Sequence, residues 1–381
     1  MAISIDELLK ATVAKNSSDL ILKVGVPPMV RINSGVVPLE PFPKLSQPET
    51  ASLAFSIMSP AQQEKFKERC EMDMAYSLPG LGRFRVNAFQ QRGTVGMVFR
   101  VIPQKIASVR ELMLPAVIEK LALEPRGMIL VTGTTGSGKS TTLAAVVDYI
   151  NQNRNVHIMT IEDPIEFLHR DKRGIVNQRE VGQDTESFSV ALRSALRQNP
   201  DVILLGEMRD FETISTALQA AETGHLVLST LHTLDAVETI NRVIAVFPPY
   251  QAKAVRMQLA SVIRGIISMR LVPRADGKGR VPAIEIMVAT QTVREAIIDP
   301  DKTRRIHDLI AAGTSQYGMQ SFDQSLHEHY KKRLITYEEA LKASSNPQDF
   351  ALRVQGIQAT SDSWEEAQAK EEEKMSIERF S

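Results

Sequence analysis

Apolar and polar positions change period along this chain, and the change divides it in two. Met1 to Lys15 sets Asp6, Glu7 and Lys10 among apolar residues at the spacing of an amphipathic helix. Residues 18–24 and 29–32 read as short strands on either side of the Gly25-Val26-Pro27-Pro28 turn. Gln47 to Cys70 reads as a helical pair broken near Ser59-Pro60, and residues 82–89 alternate strictly before a second apolar strand at 95–101. This pattern predicts a small α+β domain over residues 1–102. Ile102-Pro103 to Leu114-Pro115 has no strong period between its prolines and reads as a linker over 103–115.

From Ala116 the pattern becomes that of a parallel α/β sheet, with a second, larger domain expected over 116–345. Residues 127–132, 156–161, 202–205 and 225–231 are short, almost wholly apolar runs, as strands buried on both faces must be. Ala252 to Met269 and Gln320 to Ser344 read as mainly helical. From 346 to 381 the chain turns polar, and Glu365 to Lys374 is rich in charge beside the single Trp364. That segment reads as a flexible tail, with a short partner-binding helix as the alternative.

Composition narrows the function classes. The 381 residues carry 45 Lys and Arg against 45 Asp and Glu, so no global basic field gathers nucleic acid. Cys70 is the only cysteine, which excludes an internal disulfide and a cysteine-cluster zinc site. The first segment lacks the apolar core of a secretory signal, and no uncharged apolar stretch approaches the ~18 residues that a membrane span needs. A soluble cytoplasmic protein without direct membrane insertion is expected.

The chemistry is announced by Gly133-Thr134-Thr135-Gly136-Ser137-Gly138-Lys139-Ser140, a complete Gly-x4-Gly-Lys-Ser loop between an apolar strand and a helix that opens at Thr141. Glycines let backbone N–H groups turn toward phosphate oxygens; Lys139 is placed for the β and γ phosphates of ATP, and the Ser140 hydroxyl for Mg²⁺. Phosphoryl transfer also needs a carboxylate to orient water and cations to neutralise charge. Glu162, Asp163 and Glu166 lie within five residues at the end of the second core strand. The third strand ends in Leu204-Leu205-Gly206-Glu207, with Gly206 where an Asp would usually serve the Mg²⁺ shell. His225 and His232 flank the fourth strand. His232, nearer the ligand edge, is the candidate γ-phosphate sensor, and His225 is either a second contact or a structural histidine. Arg83 and Arg85, two apart, share one strand face. Arg193 and Arg197, four apart on one helix face, read as surface pairing or as interface residues.

The run from Leu196 to Asp210, together with Thr160 to Phe167, Asn177 to Val181 and Ala221 to His225, resembles the secretion ATPase superfamily that powers type II secretion and type IV pili, and in it the pilus retraction branch, the PilT/PilU family. The resemblance spans about residues 3 to 345. It implies a hexameric ring whose subunits carry a PAS-like N-terminal domain and a RecA-like ATPase domain. It also implies an inner-membrane platform protein as partner, a place at the cytoplasmic face of that membrane, and a paralogous retraction ATPase as a further partner. By family role, residues 133–140 are the Walker A loop and 162–166 the Asp box. Glu207 is then the Walker B acid, and His225 and His232 form the His box. Glu166 is implied as general base, Glu207 as support for magnesium, and Arg83 and Arg85 as guanidinium groups that approach nucleotide across a subunit boundary.

One segment departs from the pattern. Where retraction ATPases carry Ala-Ile-Arg-Asn-Leu-Ile-Arg-Glu, this chain has Thr292-Val293-Arg294-Glu295-Ala296-Ile297-Ile298-Asp299. The alternatives to a principal retraction motor are therefore an accessory paralogue with little activity of its own, which the Pro273 to Arg280 turn and the long tail also resemble, and an extension or secretion ATPase. The latter relatives usually add a domain and a four-cysteine zinc element that one cysteine cannot build.

Overall fold

Six antiparallel strands and three helices form the first of two units in the computed structural model, which describes residues 3–32, 35–103 and 105–355. The helix α1 (Ile5–Ala14) starts at a capping box in which Ser4 and Glu7 satisfy each other's backbone N–H groups, and it buries Ile5, Leu8, Leu9 and Thr12 along one stripe. Strands β1 (Asp19–Leu22), β2 (Met29–Ile32) and β3 (Gly35–Pro38) follow. Next come α2 (Gln47–Ser56) and α3 (Pro60–Arg69), then β4 (Glu71–Leu78), β5 (Gly82–Gln91) and β6 (Thr94–Val101). The expected break at Ser59-Pro60 is a helix start: Ser59 caps α3, and Pro60 occupies the first turn, where a missing N–H costs nothing. Sheet order is β3-β2-β1-β6-β5-β4. On β5, Phe84, Val86 and Ala88 point into the core of this unit, so Arg83 and Arg85 lie on the other face, as their spacing requires. This unit runs to Ile106 and also includes Ile165–His169.

The second unit, Ala107–Pro164 and from Arg170 on, is built on a seven-stranded sheet. Its elements begin with α4 (Val117–Ala122), β7 (Gly127–Thr132), α5 (Lys139–Asn153), β8 (His157–Glu162), β9 (Ile175–Glu180), α6 (Phe188–Ala195) and β10 (Val202–Leu205). They continue with α7 (Phe211–Glu222), β11 (Leu226–Leu231), α8 (Ala236–Ala245), α9 (Ala252–Val262), β12 (Ile263–Pro273) and β13 (Arg280–Val288). Sheet order is β13-β12-β7-β11-β10-β8-β9, parallel except for the β12–β13 hairpin. This is the RecA-like layout that the resemblance implied. Strand β7 shows why the core strands are apolar throughout: Met128 and Leu130 join the core under α7 to α9, while Ile129 and Val131 join the one under α4 and α5.

Beyond the sheet stand α10 (Gln291–Ile298), α11 (Ile306–Ala312), α12 (Thr314–Tyr317), α13 (Phe322–Lys331), α14 (Tyr337–Ala343) and α15 (Pro347–Val354). The last three pack on the β12–β13 hairpin around Phe322, Leu326 and Phe350, with the Arg270 guanidinium 3.8 Å from the Phe322 ring centroid.

Two expectations are corrected. The helix expected over 252–269 stops at Val262, and Ile263 to Pro273 is a strand, because this apolar, isoleucine-rich run is needed beside β7, where Ile266 to Ser268 pair with Leu130 to Thr132. The polar segment expected from 346 opens with α15, anchored by the fully buried Phe350. Trp364 and the charged run 365–374 lie outside the described residues. No helix among those described is long and apolar enough to cross a membrane.

Because Phe350 fills the core under α13 and α14, Phe350→Ala should destabilise this layer by about 3–5 kcal/mol. Calorimetry together with amide exchange on α13 to α15 checks this; unchanged exchange there would show that α15 is dispensable for the layer.

Candidate active site

Four parallel strands end at one edge of the second unit, and the chemistry gathers there. Register aligns Leu205 with Ile161 and with Ser229, and Leu231 with Thr132. Glu162, the last residue of β8, and Gly133, Glu207 and His232, just beyond their strand ends, therefore emerge side by side at the carboxyl edge, where α/β sheets bind ligands.

The loop 133–138 rises from β7 and turns into α5. Gly133 has φ 139°, and a Cβ there would stand 2.5 Å from the Met269 carbonyl oxygen and 2.6 Å from Ser137 Oγ, so only glycine fits. Gly138, at φ 99°, caps the helix. Thr134, Thr135 and Gly136 are exposed at the loop's crest, whereas Ser137 and Lys139 are buried. Lys139 Nζ donates to the carbonyls of Gly133 (2.7 Å) and Thr134 (2.9 Å), which draws the ammonium into the loop. Ser137 Oγ is buried and has no hydrogen-bond partner among the described residues, a group that a ligand oxygen would satisfy. Met269 on β12 walls the loop from beneath and accepts a hydrogen bond from Thr142 at its sulfur, 3.2 Å away. Ser140 and Thr141, in the first turn of α5, are half-buried.

Glu207 follows the short strand β10 by two residues, with Gly206 between. The Gly206 carbonyl accepts from Thr230 Oγ1 at 2.6 Å, which holds this turn against β11. The Glu207 carboxylate is mostly buried and lies 2.7 Å from Arg209 Nε and 3.4 Å from His232 Nε2. The acid expected from the third strand and the histidine favoured from the fourth are thus in contact. Glu162 accepts from Thr160 Oγ1 (2.6 Å) of its own strand and from Gln178 Nε2 (3.1 Å) of β9, which together fix its carboxylate.

Other expected residues lie elsewhere. His225 precedes β11 at the opposite edge, where its ring Nδ1 is 2.9 Å from the Ala220 carbonyl and its own carbonyl accepts from Gly127 N–H at the start of β7. The six residues of β11 separate it from His232, roughly 20 Å at strand rise, so the two histidines do not share a site within one chain. Glu166 is exposed and lies on the segment 165–169 that belongs to the first unit, as do Arg83 and Arg85. Arg193 pairs with Glu212 of α7, the surface pairing that its spacing allowed, and Arg197 turns back onto the Arg193 carbonyl. Arg209 and Met269 were not singled out from sequence. Arg209, two residues after an edge acid, was open to such a reading, while Met269 gave no local signal because its strand read as helix.

Arg294 donates to the carbonyls of Ala260, Ser261 and Ile263, closing the C-terminal end of α9. This accounts for its presence in a segment that otherwise departs from the retraction pattern.

Comparison with known proteins converges on one family. Residues 83–377 match the family model described as type II/IV secretion system protein. The chain is 47% identical to the type IV pilus retraction ATPase PilT of Pseudomonas aeruginosa, over 91% of this chain and 99% of that protein. It is 43% identical to the type IV pilus ATPase PilU of the same organism, over 92% of this chain and 91% of that one. Among solved structures, the pilus retraction motor PilT with bound ADP superposes with a TM-score of 0.84 at 45% identity, covering 91% of this chain and 98% of the other. The carboxyl-edge cluster of loop, acid and histidine, carried on this sheet, therefore belongs to an ATP-hydrolysing enzyme: the chain is a member of the type II/IV secretion system protein family and, within it, of the PilT/PilU retraction ATPases.

Proposed function

We propose that this chain is the ATP-driven subunit of a type IV pilus retraction motor, working as a homohexameric ring at the cytoplasmic face of the inner membrane against a platform protein of the pilus base. The observation that carries this reading is the match to PilT along nearly the whole of both chains, with the loop, Glu207 and His232 together at one sheet edge.

In this reading the loop 133–138 and Lys139 bind the β and γ phosphates, with Ser140 and Thr141 at the head of α5 and Glu162 beside them. The glycine cradle and the unsatisfied Ser137 hydroxyl fit such a ligand. Among the described residues no group of three or more His, Cys, Asp or Glu could hold a metal alone. Ser140 and Glu207 are oxygen donors of the hardness that magnesium prefers, and it commonly takes few protein ligands and completes its shell with phosphate and water. Once held there, it supplies charge neutralisation to the phosphates. Glu166 takes the proton of the attacking water. His232, oriented by Glu207, senses the γ-phosphate, and Arg83 and Arg85 of a neighbouring copy add positive charge as it leaves. His225, tied to Ala220 at the far edge, keeps a structural role within its own subunit.

The departure over residues 292–299 favours a second reading, an accessory retraction ATPase like PilU. Deleting the gene distinguishes these functions: cells that stay piliated but lose twitching support the principal motor, retained twitching supports the accessory role, and bald cells would overturn retraction in favour of extension.

Lys139→Ala should lower ATP turnover by about 10²-fold or more in a steady-state phosphate-release assay, since it removes a charge aimed at the transferring group. Normal turnover would refute the site. Glu166→Gln should lower kcat by about 10²–10⁴-fold while leaving ATP affinity, by fluorescent-nucleotide titration, within about threefold. Equal losses in rate and affinity would remove Glu166 from the role of base.

A further inference from the structure

Across the sheet from the phosphate loop runs a polar rung that no motif announces. Thr132, the last residue of β7, pairs with Ser268 of β12, which pairs with Glu285 of β13. Thr132 Oγ1 donates to Ser268 Oγ at 3.0 Å. All three are buried, Glu285 with 4% of its surface exposed, and they face the layer that holds α8. There Glu285 Oε1 accepts the backbone N–H of Ala236, the first residue of α8, at 2.9 Å.

Residues 232–235, between β11 and α8, are consequently held at both ends. His232 Nε2 lies 3.4 Å from Glu207, and the Ala236 N–H is bonded to Glu285. Between them the Thr233 and Thr239 hydroxyls lie 2.6 Å apart, and Leu234 N–H donates to Glu238 at 2.7 Å. We propose that Glu285 is a positioning residue for ATP hydrolysis, its buried carboxylate fixing the start of α8 and through it the placement of His232. This deepens the functional reading above and rests on the role given there to His232.

The carboxylate occupies this place at the expense of stability. Burial raises its pKa to about 7, outweighing the Ala236 N–H and the Arg270 guanidinium of β12, which favour the charged form; Asp235 at the α8 cap and Asp323 of α13 disfavour it further. From α11, His307 Nδ1 stands 4.0 Å away. The unfolded carboxyl titrates near 4.5 and the folded one near 7, so the folded state holds the extra proton over that window. Stability is therefore lost as pH rises from about 4.5 to about 7 and stays lost above it. A neutral isostere would relieve the loss, yet it would also remove the negative charge from the helix N-terminus. Rate and stability should thus move in opposite directions above pH 7 and converge below it, a pH dependence that a side chain with only a packing role does not produce.

The test compares Glu285→Gln with the wild-type chain. At pH 8 the variant should show a higher thermal midpoint and a kcat lower by about two- to fivefold, the scale of one charge at a helix N-terminus, with KM for ATP within twofold. At pH 6, where the wild-type carboxyl is largely protonated, the ratio of the two rates should return to near one. A rate ratio constant from pH 6 to 8, or a midpoint that falls together with the rate, overturns the proposal. His232→Ala, assayed alongside, separates the two levels. Normal turnover in that variant defeats the role of His232 and with it this inference, whereas slow turnover there beside a fully active Glu285→Gln defeats the inference alone.

Discussion

Parallel register is the constraint on which the rest depends. Each of β7, β8, β10 and β11 is at most six residues long, and their pairing leaves no freedom to slide: a shift of one residue would turn Met128 and Leu130 out of one core and into the other. With both faces of the sheet buried, the hydrophobic pattern locks the strand ends, and the strand ends place Gly133, Glu162, Glu207 and His232. The polar groups at the edge do not set this register. They are put in position by apolar residues that never touch a ligand.

The hairpin β12–β13 extends that logic beyond the parallel strands. It closes one side of the sheet, sends the Met269 carbonyl and side chain against the phosphate loop, and carries Glu285 to the amino end of α8. Both the loop and the His232 turn thus lean on the same hairpin, one from each of its strands. Phe322 and Phe350 support it from the outer side, with Arg270 stacked on the former. The α13–α15 layer and the carboxyl edge therefore share one hairpin, which packs against the former around Phe322 and Phe350 and presents Ser268, Met269 and Glu285 to the latter.

What could be seen in the sequence follows from the same physics. The four core strands were legible because burial on both faces makes them continuous apolar runs, and the phosphate loop was legible because its glycines and lysine are fixed by backbone geometry and charge. Strand β12 was not, since Ile263 to Met269 is an apolar run that continues directly from a helix, and only its pairing with β7 decides between periods of 2 and 3.6. Strands β4, β9 and β13 also escaped. β4 does carry a period-2 signal, at Met72, Met74, Tyr76 and Leu78, whereas β9 alternates weakly at a sheet edge, and β13 holds an acid between Ile284 and Ile286 that reads as an interruption. That acid is Glu285, and it hydrogen-bonds a residue 49 positions away, so nothing local could have marked it. His225 illustrates the reverse: it lies close to His232 in sequence, but the strand between them sends the two to opposite edges.

The segment 292–299 shows where relatives with the same chemistry can diverge. Arg294 is committed inside the fold, its guanidinium divided among three carbonyls at the end of α9, while Val293, Ala296 and Ile297 are buried beneath it. These positions are answerable to packing, and a change at any of them would loosen α9 and α10 together. Ile298 is different: 42% of its surface is exposed, and the retraction pattern has a charged residue in its place. Replacing a charge with an exposed isoleucine leaves the strand register and the carboxyl edge untouched, and alters only what this end of α10 offers to another surface. What differs most at this segment is therefore the exposed side of α10, which lies apart from the carboxyl edge of the sheet.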